Sequence, residues 1–360
     1  MEKMGIENGK VNISFWKNKK IFLTGHTGFK GSWMSLWLNS MGAVVKGYSL
    51  EPNTTPNLFT ELNINEILES EIGDIRDLDH ITRSMIDFNP DILIHMAAQP
   101  LVRLSYEKPV DTYTTNVIGT VNVLEAARKC GKLKAIVSVT TDKCYENQEW
   151  DWGYRENDPM GGHDPYSSSK GCAELVISAY RRSFFNSVNS ASLASARAGN
   201  VIGGGDWSDD RLIPDILKAF ENSEPVVIRN PLSTRPWQHV LEPLSGYLVL
   251  AQELFLNGDE FAEGWNFGPE NEDCKPVNWI LDKMVSHWEN NASWTIDKNS
   301  NPHEAGFLKL DCSKAFNRLK WCSKWNLQTT LKSIVDWHQV YRNGGDIKKQ
   351  CLKEIHIYSK

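Results

Sequence analysis

The sequence predicts an α/β fold built on a doubly wound parallel sheet, with a smaller C-terminal lobe laid over it. Three observations carry the prediction. Short apolar runs alternate with helical patterns from about residue 15 to 198. A glycine-rich turn, Gly25-His26-Thr27-Gly28-Phe29-Lys30-Gly31, follows the first of these runs. After Gly203-Gly204-Gly205 the alternation decays into shorter, proline-interrupted segments.

In chain order, residues 1–14 are polar and read as a loose tail, followed by a dinucleotide-binding domain over 15–198. Runs at 21–24, 44–48, 92–94 and 133–139 are short and largely uninterrupted, as strands buried on both faces should be. Helical patterns lie at 32–38, 77–88, 110–129 and 166–183. The first strand runs directly into Gly-x-x-Gly-x-x-Gly and then a helix. Glycines there permit a tight turn, close approach of a pyrophosphate to bare backbone, and close helix–strand packing. The unpaired N–H groups of the helix N-terminus then face the phosphates. This makes the domain Rossmann-like. Residues 199–345 form the substrate-binding lobe, with the possible return of a strand or helix to the first domain, and 346–360 read as a second tail.

Composition narrows the function. A 360-residue chain can bury a sizeable core. Its net charge of -6, with no basic block, argues against nucleic acid as a partner. No apolar run approaches the roughly 18 residues of a spanning helix, so no membrane partner is expected. Seven cysteines without C-x-x-C pairing read as reduced thiols of a cytoplasmic protein, and no metal site is expected.

The chemistry concentrates in two stretches, Thr140-Thr141-Asp142-Lys143-Cys144-Tyr145 and Tyr166-Ser167-Ser168-Ser169-Lys170. Tyr166 and Lys170 stand at i and i+4 on one helix face, where an ammonium favours the phenolate below its ordinary pKa of about 10. Thr141, Asp142 and Lys143 add a hydroxyl, an acid and an amine at a strand end. Oxidising an alcohol needs one tyrosine base; the extra acid and base imply a further step.

These motifs resemble the extended short-chain dehydrogenase/reductases, and within them the nucleotide-sugar 4,6-dehydratases. Gly73-Asp74-Ile75-Arg76-Asp77, His95-Met96-Ala97-Ala98-Gln99, Asn116-Val117-Ile118-Gly119-Thr120 and Arg197-Ala198-Gly199-Asn200-Val201 fit as well. The likeness spans about residues 17 to 340. It implies NAD as cofactor, held by Gly25, Thr27, Gly28, Phe29, Lys30, Gly31, Ser49, Asp74, Ile75, Ala97, Ala98, Gln99, Asn116, Thr140, Tyr166, Lys170 and Arg197. No arginine follows the second strand (Gly47-Tyr48-Ser49-Leu50-Glu51), which favours NAD over its 2′-phosphorylated form. The pair Asp142-Lys143, where dTDP-glucose dehydratases carry Asp-Glu, is most similar to the branch acting on CDP-glucose.

The resemblance implies that Tyr166 takes the 4-hydroxyl proton, Lys143 the C5 proton, and that Asp142 protonates the departing 6-hydroxyl. For Lys143, orienting a water or stabilising an enolate is the competing role. Candidate substrate contacts are Asn200, Arg211, Lys218, Arg229, Arg235 and His239, the last equally readable as a hydrogen-bonded structural histidine. The helices at 110–129 and 166–183 would pair in a homodimer or homotetramer. The product would feed 3,6-dideoxy sugars of bacterial surface polysaccharide. Two other functions compete: a 4-epimerase or dehydratase of a UDP-, dTDP- or GDP-sugar, and a non-catalytic dinucleotide sensor. Asp142 argues against epimerisation, and the intact Tyr166/Lys170 pair against a sensor.

Overall fold

The computed structural model describes residues 9–187, 189–288, 292–297 and 306–360. At its centre lies a seven-stranded sheet made of β1 (Lys20–Thr24), β2 (Val44–Ser49), β3 (Glu69–Ile72), β4 (Ile92–His95), β5 (Ala135–Val139), β6 (Ser192–Arg197) and an edge strand, Gly264–Asn266. The spatial order is β3-β2-β1-β4-β5-β6, then the edge strand, and every neighbouring pair is parallel. The order reverses between β1 and β4. Their carboxyl ends therefore open a crevice where a ligand can enter.

Helices cover both faces because the strands are apolar on both. One face packs Trp33 and Trp37 of helix Phe29–Ser40 against Leu244 and Leu248 of helix Leu241–Asn257. The other packs Ile81 and Met85 of helix Leu78–Phe88, Val123 and Leu124 of helix Gly119–Arg128, and Ile177 of helix Pro165–Ser183. The smaller lobe has its own core, including Ile216, Trp237, Ile280 and Leu331.

Four strands fall on the predicted apolar runs, and three were not announced. β3 (Glu69-Ser70-Glu71-Ile72) lies at the sheet edge and is only partly buried, so nothing selects an apolar run there. β6 (Ser192-Leu193-Ala194-Ser195-Ala196-Arg197) is wholly buried but made of small and polar residues. The edge strand has only three residues. The helix expected over 110–129 is interrupted by a π-helical turn, Thr114–Ile118, between Pro109–Tyr113 and Gly119–Arg128.

Both expected tails need correction. Residues 1–8 lie outside the described residues. Beyond them the backbone N–H of Asn12 donates to Gln252 Oε1 (2.8 Å) and Asn12 caps the short helix Ile13–Trp16, with Trp16 fully buried. Residues 346–360 are not a tail but a helix, Ile347–Ser359, capped by Asp346. It buries Cys351, Ile355 and Tyr358, an i, i+4, i+7 stripe. Among the described residues no helix is long and apolar enough to cross a membrane, and no cluster of His, Cys, Asp and Glu could hold a metal. All seven cysteines are free thiols.

Candidate active site

Thr24, the last residue of β1, organises the crevice. Its Oγ1 accepts from the backbone N–H of Met96 (3.0 Å) and Ala97 (3.1 Å) and shares a 2.7 Å hydrogen bond with His95 Nδ1. The Met96-Ala97-Ala98 segment is thereby held against the glycine turn. Gly25 has φ +79°, and a Cβ on it would stand 2.8 Å from Ala97 N. A Cβ on Gly31 would stand 1.9 Å from Gly25 O, so only glycine lets the helix close on the turn. Gly28 is the N-cap of helix Phe29–Ser40, with no side chain capping it, and a Cβ there would meet nothing nearer than 3.6 Å. Bare backbone and first-turn N–H groups thus face open space, an arrangement that fits a pyrophosphate.

Around this turn, Thr27 Oγ1 donates to Leu50 O (2.8 Å) and lies 2.9 Å from Ser49 Oγ, joining the turn to the end of β2. Asp74 is gripped by Arg76, whose Nε lies 3.0 and 2.9 Å from its two oxygens. Ile75 packs under Gly119, where a Cβ would collide with it. Phe29 leans on Gly203, at the start of the second lobe.

The catalytic stretch begins where β5 ends. Thr141 caps a single 3-10 turn, Asp142–Cys144, and its Oγ1 donates to Asp142 Oδ1 (2.9 Å). Asp142 is 1% exposed, and its Oδ2 has no hydrogen-bond partner. Burial pushes its carboxyl above the usual range, with Lys143, Thr141 and Arg235 pulling the other way. A carboxyl so placed favours holding a proton, as a general acid must. Lys143 is half-buried in the same turn. Asp164, with Pro165 at the first position, starts the helix that carries Tyr166 and Lys170.

Tyr166 and Lys170 are both buried on the sheet-facing side of that helix. Burial works against the expected lowering of the tyrosine pKa. Burial pushes the phenol up to about 12; a hydrogen bond with Thr141 lowers it and the Asp142 charge raises it. Lys170 itself is lowered to about 8 by burial, opposed by Glu174 and Cys144.

Other expected residues fall elsewhere than in the open crevice. Lys30 donates to Tyr247 OH (3.0 Å), and burial, with Lys170 and Arg211 nearby, lowers it to about 7. Asn116 spends its polar atoms as a brace: Oδ1 accepts from Gln99 N (2.8 Å), and Nδ2 donates to Gln99 O (3.0 Å) and Ser169 Oγ (2.9 Å). Gln99 Nε2 in turn donates to Thr112 Oγ1 (2.9 Å). Thr140 Oγ1 donates to Glu174. Arg197 is 4% exposed and bonded to Glu174 (2.8 Å), Tyr145 OH (2.7 Å) and Glu156 O (2.9 Å).

Of the substrate candidates, His239 takes the structural of its two readings rather than that of a substrate contact. It is fully buried between Trp33 and Trp325, its Nδ1 accepts from Leu241 N (3.3 Å), and burial lowers it to about 3. Arg235 and Arg211 act on the site, the first on Asp142 and the second on Tyr166. Arg211 is also held by Asp206 (3.0 Å). Asn200 adopts φ +45° at the end of the catalytic sheet. Arg229 is half-buried beyond strand Val226–Ile228, and Lys218 is exposed on helix Leu212–Glu221. Sequence reasoning missed Tyr247, Glu174 and Gly199. Glu174 was readable, one helical turn past Lys170; Tyr247 carried no local signal.

A glycine turn at the switch point with a Thr/Asp/Lys and Tyr-x-x-x-Lys constellation beside it defines an extended short-chain dehydrogenase/reductase. The family described as GDP-mannose 4,6 dehydratase matches residues 22–334, and the chain belongs to it. The CDP-glucose 4,6-dehydratase of Salmonella typhimurium is 59% identical over 352 residues, covering 97% of this chain and 98% of that protein. A dTDP-glucose 4,6-dehydratase from Bacillus anthracis, solved in complex with NAD, superposes with a TM-score of 0.73 at 20% identity, covering 91% of this chain and 98% of that one. A UDP-glucose 4-epimerase from Thermotoga maritima, solved with UDP-glucose, gives 0.76 at 21%, covering 90% and 99%.

Proposed function

We propose that this protein is an NAD-dependent CDP-glucose 4,6-dehydratase, converting CDP-glucose to CDP-4-keto-6-deoxyglucose and water. The observation that carries the reading is Asp142: a buried carboxyl biased toward its protonated form, beside Tyr166 and next to Lys143. An epimerase has no leaving group to protonate. The near full-length likeness to a CDP-glucose enzyme supports the choice of nucleotide.

Gly25, Gly28 and Gly31 would hold the pyrophosphate of NAD, with Ser49, Asp74, Ile75, Ala97 and Ala98 along its nucleoside ends. Bound there, NAD supplies the hydride acceptor for C4 oxidation and the donor for C6 reduction. This chain's residues move the protons. Tyr166, bonded to Thr141, takes the proton of the 4-hydroxyl, and the cationic field of Lys170 and Arg211 favours the phenolate. With C4 a ketone, C5–H is acidic, and Lys143 removes it. Asp142 delivers its proton to the departing 6-hydroxyl, so the leaving group is water rather than hydroxide. C5 is reprotonated as C6 is reduced. Arg211, Arg229 and Arg235 supply the cations that a diphosphate needs in an acidic chain, and Asn200 a sugar contact.

The protein acts as a homodimer or homotetramer in the cytoplasm. Exposed Val110, Ile118 and Leu175, on the helical stretch Pro109–Arg128 and on helix Pro165–Ser183, support self-association. Mass spectrometry of CDP-, dTDP- and UDP-glucose and GDP-mannose after incubation with protein and NAD tests the reading. Loss of one water from CDP-glucose is expected. An isomer of unchanged mass would make the protein an epimerase.

A further inference from the structure

We propose that Glu174 is the positioning residue of this active site: its ionised carboxylate keeps Lys170 protonated and fastens the catalytic helix to the catalytic strand end. The proposal rests on the dehydratase reading above. Tyr166, Lys170 and Glu174 follow one another at i, i+4 and i+8, so all three project from one face of helix Pro165–Ser183, and all are buried. Glu174 is 4% exposed, and its contacts come from two other parts of the site, the end of β5 and β6. Thr140 Oγ1, from the residue before the Thr141-Asp142 pair, donates to Oε1. Ser195 Oγ (2.7 Å) and Arg197 Nη2 (2.8 Å), both on β6, donate to Oε2. Arg197 carries the tie onward to Tyr145 OH, which donates to Asn266 Oδ1 (2.7 Å) on the edge strand. One carboxylate thus bridges the helix bearing the base and the strand bearing the acid.

A buried ion pair is no economical way to stabilise a core, since an apolar pair of similar volume often does as well. Its charge therefore calls for another account, and Lys170 supplies one. The groups facing that lysine are Tyr166 and Glu174 from its own helix, Cys144 from the segment after β5, His95 from β4 and Lys30 from the helix after β1. His95 is buried and bonded to two threonines, and burial, followed by the Lys170 charge, lowers it to about 3. Cys144 is a thiol that burial holds well above its ordinary range. Lys30 is an amine that burial lowers to about 7. Glu174 is the carboxylate one turn away, and despite burial Arg197, Thr140 and Ser195 hold it ionised. Without its field, burial drives the proton off Lys170, and the Tyr166 phenolate loses a cation one helical turn away.

The test is the pH dependence of CDP-glucose turnover in Glu174→Gln, with NAD saturating. Lys170 acts while protonated, so activity falls as pH rises through its pKa. Neutralising Glu174 leaves Arg197 uncompensated and moves this alkaline limb down by about one pH unit, a loss of about fivefold at pH 8 and much less at pH 6.5. Glu174→Asp keeps the charge and leaves the limb in place, whatever it loses in kcat. Thr140→Val and Ser195→Ala each remove one donor and shift the limb the same way by about 0.3 unit. These milder variants decide the matter if Glu174→Gln does not fold. Uniform loss at every pH, with the limb unmoved, would overturn the proposal and leave Glu174 a packing residue. Wild-type protein that removes no water from CDP-glucose would instead overturn the dehydratase reading.

Discussion

Gly199 and Asp142 approach so closely that a Cβ on the glycine would stand 1.7 Å from Asp142 Oδ2. The buried carboxylate therefore owes its place to a missing side chain two residues past β6. Gly199→Ala displaces the acid without touching Tyr166 or Lys170. Turnover should fall by about 100-fold, the scale of losing one general acid, while C4 oxidation persists. Reduced cofactor should then build up in stopped-flow absorbance. Unchanged turnover would mean that Asp142 is not the acid.

Lys143 separates two steps in the same way. Lys143→Met should leave C4 oxidation intact and abolish exchange of the C5 hydrogen with deuterated water, read by NMR. Any residual turnover should carry a second signature. Lys143 is the strongest influence pulling the Asp142 pKa down, so its removal moves the limb where Asp142 loses its proton to higher pH. Retained C5 exchange would reduce Lys143 to a residue that orients water.

The hydride should return to the carbon next to the one that loses the proton. Substrate deuterated at C4 is expected to give product deuterated at C6, because a cycle without net redox change needs the same cofactor to stay bound between steps. Wash-out of the label to solvent would show that the reduced cofactor exchanges before C6 is reduced.

Glu242 sets a pH dependence of stability. It is fully buried and accepts from the backbone N–H of Trp325 (2.7 Å) and from Tyr358 OH (2.6 Å). Burial raises its carboxyl from 4.5 to about 7. A raised acid contributes stability that is complete below pH 4.5 and is lost as pH rises through 7. Thermal unfolding should therefore show Tm declining between pH 5 and pH 8, with the decline flattened in Glu242→Gln. Tyr358→Phe removes one of its donors and should cost about 1–3 kcal/mol in denaturant unfolding.

Self-association gives a further check. Leu175→Arg puts a charge on an exposed apolar position of the Tyr166 helix and should yield monomers by light scattering. Persistence of the oligomer would place the interface elsewhere.

What the sequence disclosed was whatever depends on short range. The strand-turn-helix at 20–40 could be read because three glycines and a following apolar helix are local facts. The same holds for the Tyr166 helix, read from the four-residue spacing between Tyr166 and Lys170. β6 was missed because its burial rests on Ser195 and Arg197 meeting Glu174, a partnership about two dozen residues apart. The buried partners of His239 and Arg197 were not legible for one reason: a polar side chain looks alike in sequence whether it faces a ligand or a buried partner. The π turn at 114–118, which turns Asn116 inward to its brace, leaves no mark in a helical pattern. Tyr247 reaches Lys30 across more than two hundred residues.

Helix Leu241–Asn257 is held from both sides by segments distant in sequence. Gln252 takes the N–H groups of Asn12 and Trp16, and Ser245 with Glu242 holds Tyr358. The nucleotide-binding half is accordingly not a portable module. A fragment cut at residue 198 would bare the sheet face that this helix covers, and swapping lobes between relatives would have to carry three separate stretches together. Substrate preference in such a protein is more readily altered at the cleft, side chain by side chain, than by exchange of whole lobes.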